Sequence, residues 1–191
     1  YTFACAKDAS LTDDFRRRAN KGSDEAKQHS ENSLVYGEIE FASFRKILQL
    51  CVPDTESSNN NKHGEGVFYD LGSGSGKAVF TARFTSDFDR CVGVELLPNL
   101  HQLAVQVKSL YRILYSHKLR WKTVEFHCAD LLEYDWWSDG TVVYATSLLF
   151  DDDMMEYIGT KAKELRQGAY LISVKKFPTI DPTALEMIHK A

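Results

Sequence analysis

The sequence lacks the signatures of several protein classes. Its 4 cysteines stand far apart, so it has no paired cysteine motif of the kind that binds zinc or performs dithiol chemistry, and reduced thiols are expected. Its 6 histidines show no metal-ligand spacing, and no metal site is predicted. No apolar run approaches the length of a membrane span, and the N-terminus carries no signal-peptide pattern. We therefore expect a soluble, intracellular protein without a membrane partner.

One stretch of the chain lacks basic residues altogether. Between Thr123 and Thr160 there are nine acidic residues and no Lys or Arg, although the 191-residue chain has 23 basic and 27 acidic residues and a net charge of −4. The rest of the chain is therefore mildly basic. This balance is too even for a general nucleic-acid binder, and 43% hydrophobic residues is too many for a disordered chain. We expect one monomeric domain that contacts nucleic acid only indirectly.

Most of the chain alternates between short apolar runs and helical patterns. The predicted strands are Val67–Leu71, Cys91–Glu95, Val124–Cys128, Thr141–Ala145 and Ala169–Val174, and the helices between them are Lys77–Phe84, Pro98–Lys118 and Asp151–Arg166. This alternation is typical of the α/β class, with a doubly wound, mainly parallel sheet covered on both faces. Upstream, the sequence predicts an amphipathic helix over Glu38–Leu50, another helix around Leu11–Lys21, and an exposed loop over Asp54–Gly66.

The strongest chemical signal is the glycine-rich run Asp70–Gly76, which joins the first strand to the next helix. Its glycines allow a tight turn and close approach of a ligand, and the helix N-terminus supplies free N–H groups. A phosphate-binding P-loop is excluded because Leu71 and Ala78 stand where it needs Gly and Ser or Thr. A dinucleotide fingerprint is a weaker alternative, since Lys77 replaces its third Gly and it has no use for the acid at Asp70.

A third ligand, S-adenosylmethionine, suits these residues better. It has an ammonium and a sulfonium but no phosphate, so the Asp70 carboxylate is chemically sensible. Glu95 ends the second strand, where it can accept both ribose hydroxyls, and Asp130 follows the third strand, where it can accept from the adenine amino group beside Leu131. Each acid alone also fits a cap, a turn or a solvated strand end. Their joint order favours one binding edge.

Four motifs in order carry a family resemblance: Val35–Glu38, Tyr69–Gly76, Gly93–Glu95 and Ala129–Leu131. With them the chain resembles, over about Leu34–Phe177, the Dot family (disruptor of telomeric silencing) of histone lysine methyltransferases. The resemblance implies the Rossmann-like seven-strand methyltransferase fold and methyl transfer from S-adenosyl-L-methionine to protein lysine, with S-adenosyl-L-homocysteine as the product. It also implies a cationic partner such as a histone or nucleosome, and a nuclear location, with a cytoplasmic one as the alternative.

The resemblance further implies a set of site residues. The cofactor would contact Tyr36, Gly37, Glu38, Asp70, Gly72, Ser73, Gly74, Gly76, Lys77, Glu95, Leu96, Asp130, Leu131 and Thr146. The candidate catalytic residues around the transferred methyl are Glu38, Thr146, Ser147 and Phe150. Thr146 and Ser147 stand where the family usually has paired Asn, and Lys77 where it often has Gln. Hydroxyls still accept hydrogen bonds but are shorter, so the cofactor is better supported than the histone acceptor.

Several wider expectations remain. Residues 1–50 are expected to form a helical segment and a loop that closes over the cofactor, and residues 66–191 the cofactor-binding core. Asp151–Asp153 would lie near the catalytic rim and attract a cationic protein, although acids are also common in the first turn of any helix. The alternatives are another acceptor (a non-histone protein, an RNA or a small amine) or an inactive binding module. Because a sixth strand would only begin around Ala184–His189, a fragment is expected.

Overall fold

The computed structural model describes residues 39–51, 66–115, 122–146, 150–175 and 177. Within these ranges five strands form one parallel sheet in the order β3-β2-β1-β4-β5, which confirms the predicted α/β class. The strands are β1 (Val67–Leu71), β2 (Arg90–Glu95), β3 (Thr123–Cys128), β4 (Val142–Ala145) and β5 (Tyr170–Ser173). The helices are α1 (Phe41–Cys51), α2 (Lys77–Thr85), α3 (Pro98–Tyr115) and α4 (Asp152–Lys161), and a 3₁₀ turn (Ala162–Glu164) continues α4.

The order of the strands reverses at β1. The chain runs outward from β1 to β2 and β3, then returns across the sheet to pair β4 with the other side of β1. Asp70 in β1 is therefore flanked by Gly93 in β2 and by Tyr144 in β4. In open α/β sheets, ligands bind outside the carboxyl ends of the strands at such a reversal. The fold therefore places the predicted glycine turn where a binding crevice forms.

The two faces of the sheet carry separate cores. One face packs against α1, α2 and α3, and its buried residues include Phe44, Leu48, Phe68, Val79, Val124 and Tyr144. The other packs against α4 and the segment after β3, and includes Tyr69, Leu71, Val94, Trp136, Val143 and Ile158. Burial on both faces explains why the strands read as nearly continuous apolar runs. In the described ranges no helix has the length and apolar character needed to cross a membrane.

Several element ends differ from the sequence prediction. Helix α1 begins at Phe41 rather than Glu38, and α4 ends at Lys161 because the chain tightens into the 3₁₀ turn. Strand β4 begins at Val142, since both the amide and the hydroxyl of Thr141 donate to the Val67 carbonyl at 2.9 Å. Outside the described residues lie the helix around Leu11–Lys21, most of the Asp54–Gly66 loop, the last residues of Pro98–Lys118 and the strand around Ala184–His189.

Candidate functional site

The glycine-rich turn joins the end of β1 to the start of α2. Gly72, Gly74 and Gly76 have φ angles of 80°, 53° and 86°, in the left-handed region that residues with a side chain seldom adopt. The amides of Gly72 and Ser73 donate to the Val94 carbonyl at 2.9 and 3.0 Å, which ties the turn to the end of β2. The backbone itself therefore requires glycine at these three positions.

One aromatic ring from β3 supports this turn. A Cβ atom at Gly76 would lie 2.4 Å from Cζ of Phe126, and one at Gly93 would lie 2.6 Å from Cδ1 of the same ring. The Phe126 ring thus fills the space that the two glycines leave open. The sequence did not indicate a role for Phe126. It is an apolar residue within a strand, and only the pairing of β2 with β3 shows that it lies opposite Gly93.

Glu95 holds the turn and the end of β2 together. Its Oε2 accepts a hydrogen bond from the Gly74 amide at 2.7 Å, and its Oε1 accepts one from the Leu97 amide at 2.8 Å. Burial raises the pKa of Glu95, and the backbone N–H groups of Leu97, Gly74 and Leu96 act in the opposite direction. Each carboxylate oxygen has a second lone pair, so Glu95 can still accept from a ligand hydroxyl.

Asp70 differs from Glu95 because one of its carboxylate oxygens has no such donor. Its side chain is 2% exposed, and its Oδ1 accepts no hydrogen bond. Burial raises the pKa of Asp70 well above its usual value, and the nearby charge of Glu95 raises it further. A buried acceptor without a partner, next to a second carboxylate, fits the ammonium-bearing end of a cationic ligand such as S-adenosylmethionine.

Asp130 and Leu131 follow β3 at the same edge of the sheet. The adjoining Ala129 amide donates to the Glu95 backbone carbonyl at 3.1 Å, which joins this segment to the end of β2. Asp130 Oδ1 accepts from the Leu132 amide at 2.8 Å, so the carboxylate closes a turn. Leu131 is buried in the core, and its carbonyl accepts from Nε1 of Trp136 at 3.0 Å. Both residues therefore also have a structural role.

Two described residues beyond the end of β4, Thr146 and Phe150, lie on the other side of the glycine turn. Thr146 directly follows the strand and is half-buried. The Phe150 ring lies against Gly72, with its Cζ 3.4 Å from where a Cβ would stand. Nζ of Lys175 donates to the Phe150 carbonyl at 2.9 Å and pairs with Asp152 Oδ1 at 3.1 Å. Sequence reasoning missed Lys175, because nothing in its sequence neighbours indicates which loop it reaches.

The acids at the start of α4 are arranged as helix-start residues. Asp151 caps the helix, since its Oδ1 accepts from the Met154 amide at 2.9 Å. Asp152 and Asp153 follow in the first turn and are exposed. Acids are favoured there by the helix dipole, so their placement does not require a ligand.

Most of the predicted site residues lie at or beside the carboxyl edge of the sheet. The structure places there Asp70, Gly72, Ser73, Gly74, Gly76, Lys77, Glu95, Leu96, Asp130, Leu131, Thr146 and Phe150. Lys77 is the first residue of α2, and Leu96 links β2 to α3. The remaining four predicted residues, Tyr36, Gly37, Glu38 and Ser147, lie outside the described residues.

Comparison with protein families decides the class. The family described as histone methylation protein DOT1 matches residues 20–187. The chain belongs to the DOT1 family. This confirms the family that the sequence predicts, and DOT1 proteins are S-adenosylmethionine-dependent methyltransferases, the enzyme and cofactor class expected from the sequence. A search of curated protein sequences found no match.

Solved methyltransferase structures share the fold of this DOT1-family chain. A geranyl diphosphate methyltransferase, solved in complex with GPP and sinefungin, superposes with a TM-score of 0.51 at 15% identity, covering 69% of this chain and 43% of that one. An S-adenosylmethionine-dependent methyltransferase from Clostridium acetobutylicum ATCC 824 superposes with a TM-score of 0.50 at 15% identity, covering 71% and 50%. The chain spans half or less of the length of these structures. At this identity the likeness concerns the fold alone.

Proposed function

We propose that this chain carries the catalytic region of an S-adenosylmethionine-dependent methyltransferase that modifies a lysine of a histone or similarly cationic protein. The observation that carries the proposal is the buried Asp70 carboxylate, which lacks a partner at Oδ1 and adjoins the glycine turn of a DOT1-family chain. A cationic ligand at this edge would supply the missing partner. Nuclear residence and a monomeric state are part of the same proposal.

Each of the three acids would bind a different part of the cofactor. Asp70 pairs with the ammonium of the methionine portion, and Glu95 accepts from the ribose hydroxyls through its free lone pairs. Asp130 accepts from the adenine amino group, beside the small exposed edge of Leu131. The glycine turn lets the cofactor approach the backbone closely. Residues 36–38, in the proposed N-terminal segment 1–50, would close over a core formed by residues 66–191.

Methyl transfer requires the protein mainly to align the two reactants and to exclude water. When bound, the cofactor supplies a methyl group on a sulfonium, which an amine nitrogen attacks as the carbon–sulfur bond breaks and its electron pair stays on sulfur. The acceptor lysine must first release a proton to solvent, and desolvation lowers its pKa. The hydroxyls of Thr146 and Ser147 would accept a hydrogen bond from the amine, while Glu38 and Phe150 line its path. Positioning of this kind supplies much of the rate enhancement of two-substrate reactions.

Surface charge supports a cationic acceptor. Asp153 and Glu156 are exposed on α4, which starts two residues beyond Phe150. Exposed acids near the entrance raise the local concentration of a cationic segment and speed its association. A histone tail or a nucleosome meets this description, and nucleic acid would then be contacted only as part of the nucleosome.

A second candidate function is a cofactor-binding module without methyl transfer, or with a different acceptor. It is favoured by Thr146 and Ser147, which replace the paired Asn usual in the family. Serine and threonine hydroxyls are shorter than the Asn amide and accept from a different distance. The acceptor could then be a non-histone protein, an RNA or a small amine.

Two experiments test the proposal. Calorimetric titration of S-adenosylmethionine should show binding to the wild type, loss of binding in Asp70→Ala, and unchanged binding in Glu156→Gln, a matched variant at an exposed acid. Labelled cofactor should then transfer its methyl to protein when nucleosomes, free histones or cell extract are supplied. Absence of binding at millimolar cofactor would reject the proposal. Binding without transfer would favour the inactive module, and label on RNA alone would reject the protein acceptor.

A further inference from the structure

A second buried polar group, the Tyr144 hydroxyl, lies beside Asp70. Tyr144 in β4 is its register neighbour across the β1–β4 pair, so both side chains point to the same face of the sheet. Tyr144 is 1% exposed and its hydroxyl interacts with the Thr146 side chain, but no hydrogen bond joins it to Asp70, whose Oδ1 has no partner. Buried polar groups are nearly always hydrogen-bonded, so an unpaired carboxylate oxygen at the position next to a buried hydroxyl needs an explanation.

The position of the Tyr144 hydroxyl is set by packing. Its ring centroid lies 4.5 Å from that of Phe44 in α1, within the core that covers this face of the sheet. A ring held in this way keeps its hydroxyl near the end of β1, so a hydrogen bond to Asp70 forms when the Asp70 carboxylate rotates toward it. The protein thus keeps a hydrogen-bond donor beside Asp70 in the absence of any ligand.

Burial and the neighbouring Asp70 charge favour the protonated form of the Tyr144 hydroxyl, which can donate a hydrogen bond. Burial, followed by the charge of Asp70, raises the pKa of Tyr144 to about 12, and the side chain of Thr146 opposes this shift. The phenol is therefore protonated at neutral pH. One hydroxyl can donate to Asp70 and also accept from Thr146, because it has one hydrogen and two lone pairs.

Asp70 needs such a donor only when it is charged. Glu95 already accepts from two backbone amides, whereas Asp70 Oδ1 accepts from no group. Without a ligand, burial raises the pKa of Asp70 and so favours its protonated form. A bound cation would favour the ionised form, the proton would leave to solvent, and the carboxylate would then accept a hydrogen bond.

We propose that Tyr144 is a positioning residue of the cofactor site: when a cationic ligand binds, its hydroxyl donates to the ionised Asp70 carboxylate and accepts a hydrogen bond from Thr146. The two hydrogen bonds connect the cofactor side of the crevice, at the end of β1, with Thr146, the first residue after β4 on the acceptor side. This inference rests on the proposed binding of S-adenosylmethionine and assigns that site a residue which the sequence did not indicate.

The test is Tyr144→Phe, which removes one oxygen and keeps the ring against Phe44. Calorimetry in the full chain should show S-adenosylmethionine binding about tenfold more weakly near neutral pH, as expected for loss of a hydrogen bond to a charged group. The pH midpoint of binding should also move upward, because Asp70 would hold its proton more tightly in the complex. Tyr111→Phe, the same change elsewhere in this core, should leave both quantities unchanged.

Two further measurements distinguish a role of Tyr144 in cofactor binding from a general effect of the substitution on the fold. Tyr144→Phe should fold with little change in thermal stability without ligand, since the variant loses one contact there, that of the hydroxyl with the Thr146 side chain. Thr146→Val should move the pH midpoint of binding in the same direction by a smaller amount. This variant tests the proposed hydrogen bonds even if Tyr144→Phe does not fold.

The outcomes separate the inference from the proposed function. Equal affinity and an equal pH midpoint in wild type and Tyr144→Phe would overturn the role of Tyr144 while cofactor binding stands. Weaker binding with an unmoved midpoint would also overturn it, because that pattern indicates general damage to the site. A wild type that does not bind S-adenosylmethionine would reject the proposed function and this inference together.

Discussion

At the scale of single residues, Asp70 differs from the acids around it because its carboxylate is buried and its Oδ1 accepts no hydrogen bond. Its pKa is raised in the folded protein, so the folded state binds a proton more tightly than the unfolded chain does. This contribution to stability is complete below the unfolded pKa of about 3.9, and it is lost as pH rises through the folded pKa.

We therefore predict that Asp70→Asn stabilises the cofactor-free protein at neutral pH while removing cofactor binding. Asparagine has nearly the same shape but carries no charge to bury. Thermal unfolding measured as a function of pH should show the wild type losing stability as the pH increases from acid toward neutral, and the variant losing less. Glu156→Gln, at an exposed position, should follow the wild type. Parallel curves for wild type and Asp70→Asn would contradict the prediction.

The glycines of the turn allow a sharper comparison. Gly76 and Gly168 have nearly equal φ angles of 86° and 85°, but a Cβ at Gly76 would lie 2.4 Å from the Phe126 ring, whereas one at Gly168 has no atom within 4 Å. Gly168→Ala should therefore cost about 1 kcal/mol of unfolding free energy from backbone strain alone. Gly76→Ala should cost roughly 1–3 kcal/mol more because of overpacking. Equal losses in urea unfolding would show that the Phe126 ring moves aside freely.

Some residues of the site could be predicted from the sequence and others could not. Asp70, Glu95 and Asp130 follow predicted strands, and parallel strands bring their carboxyl ends to one edge, so their grouping follows from local patterns. Phe126 and Tyr144 lie inside apolar strands, where periodicity indicates burial only. Which group each one meets depends on register between distant segments, and no local pattern encodes that register.

At the scale of elements, a side chain following β5 holds Phe150 and Asp152 at the start of α4. Ser173 Oγ donates to the Lys175 carbonyl at 2.6 Å, and Nζ of Lys175 holds the Phe150 carbonyl and the Asp152 carboxylate. The Phe150 ring, in turn, covers Gly72. The end of one strand thus determines how a candidate acceptor-side residue lies against the cofactor turn.

Lys175→Met should consequently impair methyl transfer more than stability. The side chain is 39% exposed, so its ion pair is worth less than about 1 kcal/mol of unfolding free energy. Loss of the carbonyl contact should release Phe150, raising KM for the protein acceptor and lowering kcat several-fold with little change in cofactor affinity. Lys175→Arg should restore part of the activity, and Lys163→Met, at an exposed lysine, should have none of these effects. If cofactor affinity fell by the same factor as kcat/KM, the Lys175 contact would act on cofactor binding rather than on the acceptor side, and the prediction would be wrong.

Element positions were easier to predict than element ends. Apolar runs and helical spacing located the described strands and helices, since burial imposes those periods directly. The ends depend on single contacts, such as the double hydrogen bond from Thr141 to the Val67 carbonyl that precedes β4. They depend also on backbone tightening, as in the 3₁₀ turn after Lys161. Neither is visible in a hydrophobic pattern.

At the scale of the whole molecule, the acidic stretch divides into structural and surface charges. Several of its acids bind within the chain: Glu125 and Asp139 pair with Arg90, Asp130 and Asp151 close a turn and a helix start, and Asp152 pairs with Lys175. Glu133, Asp135, Asp153 and Glu156 are exposed, and so is Asp152 despite its ion pair. The negative surface is therefore smaller than the composition of the stretch suggests.

That surface predicts a salt dependence that differs between acceptors. For a cationic protein acceptor, kcat/KM should fall as ionic strength rises, because salt shortens the screening length to about 8 Å at physiological strength. The double variant Asp153→Asn, Glu156→Gln should lower kcat/KM at low salt and flatten its salt dependence. A small neutral amine as acceptor provides the control and should show neither effect. A salt dependence unchanged in the double variant would assign the steering to other charges.

The central position of β1 also has a kinetic consequence. Thr141, at the entrance to β4, bonds to Val67, at the start of β1, across 74 residues of chain. Closing so long a loop delays the pairing of β1 with β4 until the later segments are available. The binding edge needs that pair, so it is complete only late in folding. A ligand at this edge would meet an almost finished molecule and would act by slowing its unfolding rather than by speeding its assembly.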